Sequence, residues 1–224
     1  MASMIVDIFG VWLFVLIMAL FLMPVEACYI WIKRGSSDGY QSYGMVFAII
    51  SFTLWLCYGI IKDDFGMILV NGIGLGLNIA YILIFDFYQS DKKRVHFELA
   101  TAAVILASIF MYVWEMPHDD LRSTVGRICT TFQSIGCIFG YYGMYHIFKI
   151  KTTEYMPFNS TAFGAFVCLN TVIFALLVGD IYMIISNCFN ASLTALCFSF
   201  YFIYPPKTWR LPWQKQEIEK EKTS

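Results

Sequence analysis

Two asparagines, Asn71 and Asn78, stand in the apolar stretch "ILVNGIGLGLNIAY" of residues 68–81, beside Gly72, Gly74 and Gly76. An amide is neutral, so an apolar span tolerates it, and it carries a donor and an acceptor, so it can pair with a hydroxyl that is itself both. The same group can bond across helices as packing glue, and residue type alone leaves both uses open. Other reactive side chains are sparse. An acid on a solute path would mark proton coupling. Glu26, two residues beyond Pro24, is the candidate, placed to face a wet vestibule or to reach the interface; Asp86 falls near the end of another apolar run. His96, His118 and His146 lie near the ends of such runs without a nucleophile, base and orienter around them, so catalysis finds no support. The seven cysteines lack paired CxxC spacing and read as small packing residues; no metal or cofactor is expected. "GIGLG" lacks the strand, turn and helix setting of a nucleotide loop.

The elements that must position these residues are membrane helices. Of 224 residues, 59% are hydrophobic and 14% charged, against roughly 45–50% and about 25% in soluble domains. A lipid-facing backbone must satisfy its own hydrogen bonds, and a crossing helix needs about 20 apolar residues. Seven spans emerge, at roughly 5–32, 43–61, 66–89, 97–115, 123–148, 158–178 and 181–204. The first is too long for a secretory leader and reads as retained helix. Basic residues gather on one side: Lys33 and Arg34, Lys92 to Arg94, Lys149 and Lys151, and those of the tail. Lys62, Arg122 and Arg127 fall on the other. The positive-inside rule then puts the C-terminus in the cytosol and the N-terminus outside or in a lumen. No basic stripe suits nucleic acid. The sequons at Asn159 and Asn190 fall at the cytosolic face and inside a span, so neither should carry glycan. Residues 205–224 begin with two prolines, end in a charged run, and read as a disordered tail.

Shifting the chain against itself by 116 residues superposes Lys33 on Lys149, Asp64 on Asp180, Met67 on Met183, Asn71 on Asn187 and Tyr88 on Tyr204. Ser36-Ser37-Asp38 matches Thr152-Thr153-Glu154, small hydroxyls before an acid that can stop one helix and start another. The repeats are residues 5–89 and 123–204, with 97–115 a linker span between them. An odd helix between two three-span units gives both the same orientation, a known plan of secondary transporters.

With that repeat in place the chain resembles the SWEET sugar transporters of the PQ-loop group. The resemblance rests on "FLMP" (21–24), "WLCYG" (55–59), "VNGIG" (70–74), "YILIFDFY" (81–88), "KTTEYMPF" (151–158), "SNCFN" (186–190) and "FSFYFIY" (198–204). It implies an all-α protein of seven transmembrane helices, two parallel three-helix bundles joined by a linker helix. It implies facilitated, bidirectional diffusion of sugars and frequent homo-oligomers in the lipid membrane. The implied sugar-binding residues are Asn71 and Asn187 with Trp55 and Thr171, each of the latter sixteen residues before its asparagine. Trp55 can stack on the C–H face of a pyranose, and its bulk against Thr171 makes a lopsided pocket of monosaccharide size.

The family's four hinge prolines map to Pro24, Gly44, Gly140 and Pro157, and glycine at two of them loosens a helix without removing its N–H. The outer gate maps to Tyr58 and Asp180. No acid stands beside the proposed amides, so transport is expected to be uniport with little dependence on a proton gradient. A PQ-loop carrier of amino acids or another small organic solute is the alternative. A seven-span receptor fits less well, because the loops are short and the half-chain repeat is foreign to that class. Within residues 68–81, Gly72 and Gly76 form a small-xxx-small pair expected to admit a neighbouring helix, and Asn78, matched only by Thr194, is left to packing or the inner path.

Overall fold

The computed structural model describes residues 2–153 and 158–206, without the side chains of residues 2, 3, 5, 118, 139, 140, 142, 143, 146 and 160. Pro157 and the tail beyond Pro206 lie outside the described residues. The described chain is helical: α1 (Ala2–Leu22), α2 (Pro24–Arg34), α3 (Tyr43–Lys62), α4 (Phe65–Phe87), α5 (Lys92–Trp114), α6 (His118–Ile150), α7 (Phe158–Val178) and α8 (Ile181–Ile203). α1 and α2 make one span, Val6–Arg34, interrupted at Met23. With α3, α4, α5, α7 and α8 it gives, among the described residues, six helices long and apolar enough to cross a membrane. The remaining expected span falls in α6, whose 33 residues exceed the length of a crossing. Polar groups in its first half, among them Arg127, Thr130, Thr131 and Gln133, lower its hydropathy. Large apolar side chains stay exposed along the helices, from Val11 on α1 to Met111 on α5 and Phe202 on α8, as a lipid-facing surface requires.

The chain divides into two compact units, Met1–Gln133 and the remainder from Ser134. α3 and α4 pack most extensively in the first, α7 and α8 in the second. Each pair turns through two residues with the same backbone. Asp63 and Gly179 sit left-handed at φ 57° and 70°. Asp64 and Asp180 follow as N-caps: the Asp64 carboxylate accepts from the Met67 N–H at 3.0 Å, and that of Asp180 from the N–H groups of Tyr182 and Met183 at 3.0 and 3.2 Å. An N-cap acceptor satisfies donors that the helix start leaves unpaired, so the repeated aspartates have a structural reason.

The hydroxyls of the two triplets also repeat, just beyond the ends of α2 and α6. Ser37 and Thr153 are fully buried, and both donate their N–H to the terminal carbonyl of the third helix of their repeat, Tyr88 and Tyr204, at 3.0 Å. Their hydroxyls donate to carbonyls of the same helix ends, Phe85 and Tyr204, at 2.9 Å. Asp38 caps nothing; it accepts from the hydroxyl and N–H of Ser90. Those two bonds, the hydroxyl's first, hold its carboxyl below the ordinary range.

Candidate functional site

The two asparagines singled out by the repeat adopt the same geometry in separate units. Asn71 on α4 donates from Nδ2 to the Met67 carbonyl at 2.8 Å, and Asn187 on α8 donates to the Met183 carbonyl at 2.9 Å. Both side chains are half-buried. Each bond joins residues four apart, so it fixes the amide against its own helix. Among the described residues no group bonds the Oδ1 atom of either. Packing glue would bond a neighbouring helix, and Asn78 does so: its Nδ2 donates to the Met45 carbonyl of α3 at 2.6 Å. One stretch therefore holds an asparagine committed to packing and another with its acceptor uncommitted.

Trp55 is half-buried on α3, and its ring meets that of Tyr58 edge to face at 5.7 Å. Tyr58 is 1% exposed. One residue on, a Cβ at Gly59 would stand 3.1–3.2 Å from Met67 and from the Ile68 nitrogen, so glycine there lets α3 lie against the start of α4. Lys62 places its ammonium 3.2 Å from the Asp64 carboxylate. No hydrogen bond or ring contact joins Trp55 to Asn71 among the described residues. In the second unit Thr171 donates its hydroxyl to the Cys168 carbonyl at 2.7 Å, and Asp180 is 7% exposed in its capping role.

The positions expected to act as hinges differ in setting. Pro24 opens α2 just after the interruption at Met23, with Glu26 exposed in the first turn, where a carboxylate meets the positive end of the helix. Gly44 is the second residue of α3, where a proline would fit as well, and an added Cβ would meet nothing within 4 Å. α6 runs through Gly140 without interruption. The expected Gly72 and Gly76 packing pair is corrected: both face open space, and the tight glycine is Gly74, where a Cβ would stand 2.8–2.9 Å from the rings of Phe21 and Phe52. Two small residues four apart share a helix face, but their spacing does not fix which face a neighbour occupies.

Some polar groups within the spans escaped the sequence reading. Ser51, one turn before Trp55, donates to Oε1 of Gln133 at 3.1 Å. Asn170, 7% exposed beside Thr171, donates to the Phe166 carbonyl at 2.7 Å. Asn170 pairs with Leu54 across the repeat, so a search for matched amides passes over it. A groove of ≈ 260 Å³ opens between α3 and α5, lined by Tyr43, Phe47, Ile50, Phe97, Glu98 and Ile105 among others. None of the expected site residues lines it.

Two segments of the chain, residues 7–93 and 123–209, match the family described as sugar efflux transporter for intercellular exchange. The segments are displaced by 116 residues at both ends, the shift at which the asparagines, aspartates and terminal tyrosines fall in register. The chain is 28% identical over 228 residues to the bidirectional sugar transporter SWEET14 of Arabidopsis thaliana, a match covering 96% of this chain and 78% of that protein. It is 25% identical over 194 residues to the sugar transporter SWEET1 of Drosophila pseudoobscura pseudoobscura, covering 84% and 85%. A 3.7 Å structure of a eukaryotic SWEET transporter superposes with a TM-score of 0.80 at 20% identity, over 91% of this chain and 98% of that one. That likeness concerns the fold: seven membrane spans arranged as three, one and three. A repeated family segment, a repeated set of backbone devices and this fold agree, and the chain belongs to the SWEET family.

Proposed function

We propose that this chain is a facilitative, bidirectional sugar uniporter working by alternating access, with monosaccharides preferred. The amides of Asn71 and Asn187 recognise sugar hydroxyls, Trp55 stacks on the ring, and Thr171 supplies the smaller wall. One observation carries the reading. Both amides are anchored by the same bond to their own helix, and each keeps Oδ1 and a second N–H for a ligand. The printed names of the relatives, sugar transporters from a plant and a fly, supply the substrate class.

The gates follow from the same positions. Tyr58 and Asp180 close the outer side, and Pro24, Gly44, Gly140 and Pro157 bend the spans at the inner side. Residues 5–89 and 123–204 are the moving repeats and 97–115 the linker. The positive-inside rule places the C-terminus in the cytosol and the N-terminus outside or in a lumen. We assign the protein to the plasma membrane, with the Golgi or another endomembrane as the alternative, as a homo-oligomer surrounded by lipid.

The test is uptake by purified protein in liposomes offered glucose, galactose, fructose, sucrose and cationic amino acids. Glucose should equilibrate without accumulating, and an imposed inward proton gradient should change its rate less than about twofold, since no acid stands beside the amides. Movement of an amino acid with no sugar moving would replace the reading with the amino-acid carrier. Strong proton stimulation abolished in Glu26→Gln would end the uniport assignment.

A further inference from the structure

The end of α1 is held in an unusual way. The last carbonyls of a helix have no donor within it, and Pro24, which follows, has no N–H to offer. The Leu20 carbonyl takes the Met23 N–H at 3.2 Å, three residues away instead of four. The Phe21 carbonyl takes the hydroxyl of Tyr81 at 2.9 Å. Tyr81 is 7% exposed on α4, seven residues from Gly74 and therefore on the same face. At Gly74 the missing Cβ makes room for the Phe21 ring, which also meets Phe52 edge to face at 5.2 Å. α4 thus grips Phe21 twice, by ring and by carbonyl, three residues before Pro24.

The second repeat lacks both parts of this arrangement. Across the 116-residue shift Pro24 becomes Gly140 and Tyr81 becomes Cys197. α6 passes Gly140 unbroken, and the Cys197 thiol lies against the Met144 sulfur at 3.3 Å. The phenol hydroxyl occurs in the repeat whose helix is broken by proline, and it bonds the backbone at that break.

We propose that Tyr81 is a positioning residue of the transport cycle, which keeps the first span broken at Met23–Pro24 by holding Phe21 against α4. This role rests on the transporter reading above. In the broken span the Tyr81 hydroxyl satisfies the Phe21 carbonyl. Without it that carbonyl regains a partner only by closing onto the Val25 N–H, which opposes the break. The loss falls on interconversion of the carrier and not on sugar binding, because Tyr81 spends its hydroxyl on backbone.

The experiment is glucose exchange in liposomes by the wild-type protein, Tyr81→Phe, Pro24→Ala and the double variant, per folded protein. Tyr81→Phe should lower the maximal rate about fivefold, the scale of one hydrogen bond, with KM for glucose unchanged. In Pro24→Ala the ring no longer crowds the preceding turn and the helix can close, so the Val25 N–H reaches the Phe21 carbonyl and adding Tyr81→Phe should change nothing further, a non-additive cycle that general destabilisation would not produce. A wild-type rate in Tyr81→Phe, a rise in KM alone, or equal losses in both backgrounds would overturn the role of Tyr81. Absence of glucose flux in the wild-type protein would overturn the transporter reading and this role with it.

Discussion

The first span and α6 hold the same place in the two repeats, and they differ in the continuity of their backbone. α6, residues His118–Ile150, corresponds residue for residue to Ala2–Arg34, yet the earlier copy is divided into α1 and α2 at Met23 and the later one is continuous. Pro24 removes an N–H and crowds the preceding turn; Gly140 keeps its N–H and only loosens the chain. The repeats agree where the backbone must be closed: the aspartate caps, the left-handed turn residues and the buried hydroxyls at helix ends. They differ in the proposed pocket wall, Trp55 against Thr171, and in the break with its tyrosine. A duplicated framework can therefore keep its closures while helix continuity and bulk diverge.

Moving the break would test that contrast most severely. Gly140→Pro should cost about 3 kcal/mol in thermal or denaturant unfolding, the penalty for proline inside a helix. Adding Cys197→Tyr should recover part of it if the tyrosine serves the break. Full cost in both variants would show that the two copies differ by more than these residues. The shared closures predict smaller and matched effects. Ser37→Ala and Thr153→Val should each lower stability by about 0.5–1.5 kcal/mol, because each removes a buried hydroxyl's bond to a helix-end carbonyl. Ser37→Thr and Thr153→Ser should stay within about 0.5 kcal/mol, since each repeat uses the other's residue. Unequal losses would mean that the buried hydroxyls are not equivalent.

The sequence carried the spans, the repeat and the matched amides because each is a pattern of type and spacing. Apolar length marks a crossing, and Asn71 and Asn187 are rare polar residues in register. Asp64 and Asp180 were visible as a pair, while their service as N-caps depends on a left-handed residue before each, and only one of those is glycine. Gly74 could not be told from Gly72 and Gly76, because which glycine faces a ring depends on the placement of α1 and α3. Tyr81 lay inside a quoted motif, but its bond spans 60 residues to a backbone carbonyl, and backbone acceptors leave no mark on a side-chain pattern. Ser37 and Thr153 showed their repeat and hid their partners for the same reason.

The central claim is that the repeated amides bind sugar while Asn78 packs. Glucose exchange in liposomes by Asn71→Ala, Asn187→Ala and Asn78→Ala decides it. The first two should each lose at least about tenfold in flux with folding intact, while Asn78→Ala keeps flux within about twofold and loses about 0.6–1 kcal/mol of stability with its bond to α3. Wild-type flux in both Asn71→Ala and Asn187→Ala would contradict the account.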